Sequence, residues 1–161
     1  DKIEKNFGMS EEVTRQKQQI FLKQGKLNDA INEGKKLCEA YPEESRYTIS
    51  LVEMLISNEK IDEAEKVVND LVKKDPNNAF ANLALHDIYK SKGENKKANE
   101  KLEIAFKSPE LDIDTKVGIL IAKIRQMQGD ESLKEQCLYL ANILVKIHPL
   151  EAKAHAMLAD I

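Results

Sequence analysis

Chain breakers are scarce in this sequence, with six glycines and four prolines among 161 residues. That scarcity excludes a turn-rich fold and favours long helices, while an apolar content of 42% is enough for a folded core. Long hydrophobic runs are absent as well. The longest near the middle, Val117 to Ala122, covers six residues and contains Gly118, whereas a bilayer-spanning helix needs about 20. No membrane insertion by this segment is expected. Excess positive charge is also lacking: 25 Lys and Arg against 28 Asp and Glu give −3. A nucleic-acid binder usually carries a basic stripe, so nucleic acid is not an expected partner. No glycine-rich phosphate loop, nucleophile elbow or histidine–carboxylate pair occurs. Catalysis and cofactors are therefore not expected. The three histidines, His86, His148 and His155, have no ligand-like spacing to cysteines or carboxylates.

What is present is a period. Ala30, Ala64 and Ala98 are spaced by 34 residues, Pro42 and Pro76 by 34, and Pro109 follows after 33. Gly25 and Gly93 lie two periods apart. Self-similarity at this length marks an array of helical hairpins. Around Ala64, an amphipathic helix begins on a small residue and stops at the corner Asp75-Pro76-Asn77-Asn78.

The period divides the chain into units 11–44, 45–78, 79–112 and 113–150, with a truncated fifth unit over 151–161. Residues 1–10 read as the tail of an upstream element, with a short helix through Ile3 and Phe7 closing on Gly8. All of 1–161 is expected to form one solenoid. Ser10 is the expected N-cap of the first helix, whose buried stripe is read as Val13, Ile20 and Phe21. Its partner is expected over about 28–40. In later units the inward residues are Tyr47, Leu51, Met54 and Leu55; Ile61, Ala64, Val67, Val68 and Leu71; Leu85, Ile88 and Tyr89; and Ala98, Leu102, Ala105 and Phe106. The fourth unit departs. A long corner over 108–114 is expected before a helix over 115–128, and three extra residues are placed in the turn within 130–134. Cys137 then falls where Ala98 stood, and a packed, inert thiol is expected there. Cys38 and Cys137 lie in the first and fourth units, too far apart to pair.

The period, the turn glycines and the 12-residue Ala-to-Pro spacing resemble the tetratricopeptide repeat family over residues 11–161. The family's large aromatic near each unit's start is Thr14, Thr48 and Asn82 here, and its leucine–glycine pair is Lys17-Gln18, Leu51-Val52 and Leu85-His86. Its following aromatic is Phe21, Leu55 and Tyr89. The longer corner and fourth-unit insertion are similar to exported repeat proteins of Bacteroidetes-type bacteria, which favours a periplasmic or envelope location, with a cytoplasmic one as the alternative. The family implies an all-α, right-handed α-solenoid of antiparallel hairpins, whose first helices line a concave wall. Carried over by position, and aligned in the fourth unit by Gly129, that wall includes Arg15, Gln19, Arg46, Ile49, Glu53, Phe80, Leu83, Asp87, Lys116 and Lys123. Over its full 20 positions it has six basic residues and three acidic ones. The resemblance therefore implies a non-catalytic scaffold that binds a protein or peptide through apolar anchors and charge. Ile49, Phe80 and Leu83 are expected at its centre, with Arg46 and Lys116 nearer the rim. The alternative is a regulatory or positioning arm of a larger enzyme or envelope assembly. The lysine–asparagine clamp for C-terminal carboxylates is missing at the matching positions, where only Arg15 suits. Met157 and Leu158, without a covering hairpin partner, suggest weak self-association through the truncated end.

Overall fold

A left-handed residue closes each hairpin turn. Gly25, Glu59, Gly93 and Gly129 have φ of 70°, 60°, 74° and 85°. The computed structural model describes residues 10–127 and 129–161, in which nine α-helices and no strand occur. The expected helix through Ile3 and Phe7 and the helix end at Gln128 lie outside the described residues.

The helices pair as α1 (Glu11–Lys23) with α2 (Leu27–Ala40), α3 (Ser45–Ser57) with α4 (Ile61–Lys74), α5 (Ala79–Ser91) with α6 (Asn95–Lys107), and α7 (Ile113–Gln126) with α8 (Glu131–Ile147). A short α9 (Ala152–Ala159) follows. The period is visible in single hydrogen bonds. Lys26 N donates to Phe21 O, Lys60 N to Leu55 O and Glu94 N to Tyr89 O, at 2.8, 2.9 and 2.8 Å. One step earlier, Gly25, Glu59 and Gly93 donate to Leu22, Ile56 and Lys90, each at 3.0 Å. These paired bonds satisfy carbonyls at the ends of α1, α3 and α5, and their left-handed corner suits glycine. Glu59 holds that conformation without glycine's freedom. Ser10 caps α1 as expected, accepting from Val13 N at 3.3 Å, with Glu11 and Glu12 in the first turn, where the helix dipole favours them.

Contacts cluster into two compact units, one ending at Pro76 and the other running from Asn77 to Ile161. The first contains α1–α4. Its core includes Ala30, Ile31, Leu37, Leu51, Val52, Leu55, Ala64 and Val68, with Tyr47 at its edge. The second contains α5–α9. Leu102, Phe106, Leu120, Cys137, Leu140, Ala141, Leu144 and Ala154 form its main cluster, against which Met157 and Leu158 are partly buried. The thiol of Cys137 is fully buried, which raises its pKa. Both cysteines are free.

Three sequence expectations are corrected. In α1 the fully buried residue is Thr14, Val13 and Phe21 are half-buried, and Ile20 is 53% exposed. The interior face of that helix thus passes through the family's aromatic position, where this chain has a hydroxyl. In the fourth hairpin the extra residues do not lengthen the turn. Asp130 Oδ1 accepts from Leu133 N at 3.0 Å, so helix starts at Glu131 and α8 reaches 17 residues. The corner before α7 is also shorter than expected. Asp112 caps that helix through Thr115 N, and helix begins at Ile113. Leu111 is fully buried within the corner.

Candidate functional site: an arginine-lined pocket in the first unit

The first-unit candidates lie on two successive first helices, Arg15 and Gln19 on α1, and Arg46, Ile49 and Glu53 on α3. Gln19, Arg15, Arg46 and Glu53 are exposed, and Ile49 is half-buried. Arg15 and Arg46 border one pocket of about 270 Å3, which also includes Glu11, Gln18, Tyr47 and Ser50.

Glu11 joins the two arginines. Its Oε1 accepts from Arg15 Nη2 at 3.1 Å, and its Oε2 lies 3.3 Å from Arg46 Nη1. The Tyr47 hydroxyl donates to the same Oε2 at 3.2 Å and accepts from Arg46 Nη2 at 2.8 Å. Arg46 also meets Glu44 at 3.3 Å, and its guanidinium lies 4.7 Å from the Tyr47 ring centre. The Arg15 and Arg46 side chains remain 66% and 63% exposed. Burial, with the Glu11 carboxylate beside it, raises the pKa of the Tyr47 phenol. Glu11 and Tyr47 were missed by the carried-over wall positions. The four-residue step from Glu11 to Arg15 was the available signal, because helix neighbours of opposite charge pair at that spacing.

In the second unit, Phe80 is 46% exposed on α5, Leu83 is half-buried against Ala79, Ala105 and Leu111, and Asp87 is exposed. Lys116 and Lys123 do not present charge to a wall. Lys116 is fully buried and Lys123 is 8% exposed. The cause is register. Aligning by Gly129 displaces α7 by two residues, whereas continuing the 34-residue step places Lys116 after Thr14, Thr48 and Asn82, and Lys123 after Phe21, Leu55 and Tyr89. Two lysines therefore occupy the packing positions of the family's aromatics. Lys116 Nζ donates to Ser108 O at 2.9 Å and lies 3.2 Å from His148 Nε2. Burial lowers the pKa of both ammonium groups, and Lys90 adds to the effect at Lys123.

The repeat's leucine–glycine position is also reused. Gln18 Nε2 donates to Ala30 O at 3.2 Å, and two periods later His86 Nδ1 meets Ala98 O at 2.9 Å. Each ties a first helix to the small residue that starts its partner. Among the described residues no cluster of three or more His, Cys, Asp or Glu side chains is suited to a metal, and no helix is long and apolar enough to cross a membrane.

Helices of 13 or 14 residues from α1 to α7, paired as hairpins whose first helices start 34 residues apart, define the class as a helical-hairpin repeat protein. Residues 21–99 match the tetratricopeptide repeat model, and that stretch carries repeats of this family. No curated protein matches the chain. Repeats of this family generally mediate protein–protein interaction.

Proposed function

We propose that the chain is a non-catalytic interaction module that binds a peptide or protein segment carrying carboxylate side chains, with Arg15 and Arg46 as its recognition groups. The observation that carries this reading is the pair of exposed guanidiniums from successive first helices, bordering one pocket and sharing a single acid, Glu11. A guanidinium has five N–H donors in a rigid fork suited to carboxylates. Glu11, Glu44 and Tyr47 engage only part of that capacity. Gln19 and Glu53 add polar groups on the same helices, and half-buried Ile49 adds apolar surface. In the second unit, taken by itself, the exposed ring of Phe80, with Leu83 and Asp87 on the same helix, is proposed as a separate apolar contact for a partner. Interface hot spots are commonly aromatic and arginine residues, which favours both choices.

Peptide display against the full chain, followed by affinity measurements on selected peptides, tests the proposal. Acidic side chains beside apolar ones should be enriched. Arg15→Glu combined with Arg46→Glu should weaken binding about tenfold or more, largely through slower association at low salt. Phe80→Ala should weaken those selected peptides that bind the second unit about thirtyfold, the equivalent of a 2 kcal/mol hot spot. Selected peptides whose affinity is indifferent to all three substitutions, in variants that melt like the parent, would move the site elsewhere.

A further inference from the structure

A second cavity, of about 330 Å3, opens among α5, α6, α7 and the first turns of α8. Its lining includes His86, Lys90, Asn99, Lys123, Ser132 and Gln136. Lys123 is 8% exposed, and its Nζ donates to Gln136 Oε1 at 2.8 Å. An ammonium has three N–H donors, so two are left without a hydrogen-bond acceptor among the described residues. No carboxylate lies within ion-pair distance of Lys123 or Lys90 among those residues. The single acid on the lining, Asp130, caps α8 by accepting from Leu133 N at 3.0 Å. The Nδ1 of His86 faces Ala98 O, which leaves Nε2 as its remaining polar atom.

A buried charge needs an opposite charge and hydrogen bonds to offset its lost hydration. Here the cation, its neighbouring cation and several neutral donors converge on open volume. We propose that this cavity binds a small oxyanion of the phosphate type, held between the Lys90 and Lys123 ammonium groups, with Ser132 and the lining amides as neutral donors. Charge-assisted bonds from two ammonium groups suit a tetrahedral dianion. Binding would favour the charged form of Lys123, against the downward shift that burial and Lys90 impose. The site is independent of the arginine pocket, and neither reading requires the other.

The test is an NMR titration of the full chain with inorganic phosphate at constant ionic strength, using chloride as the matched control and acetate as a carboxylate arm. Saturable shifts should localise to residues lining the cavity, and acetate should bind more weakly. Lys123→Met and Lys90→Met should each weaken phosphate binding about tenfold or more. Lys146→Met, which removes an exposed charge from α8, should leave it unchanged. Lys90 is exposed, so its variant remains informative if the buried substitution disturbs folding. Absence of saturable shifts, equal losses in Lys146→Met, or unchanged binding in Lys90→Met would overturn the proposal. Acetate binding as tightly as phosphate would overturn the choice of a dianion.

Discussion

The two compact units treat buried charge in opposite ways. In the first, Glu33 is 6% exposed, yet Lys36 lies 2.6 Å and Lys17 3.4 Å from its carboxylate oxygens. Burial pushes the Glu33 pKa up, but the two lysines outweigh it and the net shift is downward. In the second unit, Lys116 and Lys123 are buried without a carboxylate at ion-pair distance among the described residues. They rely on a backbone carbonyl, an imidazole and a side-chain amide. A formal charge thus says little about stability until its partners are known. Glu33 is an acid paired with two cations, while the lysines are cations whose hydration is only partly replaced.

The largest break in this comparison should come from Glu33→Gln. Removing the buried anion leaves Lys17 and Lys36 without their shared acceptor. At pH 7 the variant should lose about 2 kcal/mol in denaturant unfolding, less than for a fully enclosed pair because Lys36 remains half-exposed. The folded pKa of Glu33 is lowered, so its stabilising contribution is present above the ordinary value of 4.5 and is lost as pH falls through the folded value. The gap between variant and parent should close in acid.

Lys116→Met should act in the other direction and somewhat more weakly. A flexible apolar side chain of similar length removes a poorly paired buried cation, with an expected gain of about 1–2 kcal/mol at pH 7. The sign with pH is set by a folded pKa below the ordinary 10.5. The unfolded chain holds the proton more tightly, so the penalty is full below the folded value and fades as pH rises toward 10.5. Unfolding curves of variant and parent should therefore converge in base. A constant gain across that range would assign the effect to packing rather than charge.

Thr14→Val gives the neutral counterpart. The Thr14 hydroxyl is fully buried and has no hydrogen-bond partner among the described residues. Replacing it with an isosteric methyl should raise stability by about 1 kcal/mol, read from the denaturation midpoint. Arg46→Met should produce the smallest change. Its side chain is 63% exposed, so the midpoint should remain where it is even though binding weakens.

The second helices were legible in the sequence because small and apolar residues recur there at helical spacing. Ala30, Ala64 and Ala98 are all essentially buried, as are Leu102 and Phe106. The first helices were harder because their interior positions carry Thr14, Asn82, Lys116 and Lys123. An apolar-periodicity reading searches for hydrophobic residues and passes over these sites. Extending the 34-residue step past Asn82 would have placed Lys116 inside, whereas Gly129 was a misleading anchor. Its different approach to α8 reflects Asp130 N donating to Met127 O at 2.6 Å and the extra N-terminal turn capped by Asp130. The arginine pocket was half legible. Arg15 and Arg46 were identified, but the shared Glu11 required knowing that α1 and α3 bring their side chains together.

Site-resolved titration of the lysine side-chain amines by NMR tests this account most directly. Lys116 and Lys123 should titrate below the other lysines, while Lys107 and Lys153, paired with Glu103 and Asp114, should titrate above the ordinary value. The two low resonances should disappear singly in Lys116→Met and Lys123→Met. If every lysine instead titrates together near the ordinary value, the buried cations are not buried and the contrast between the two units is wrong.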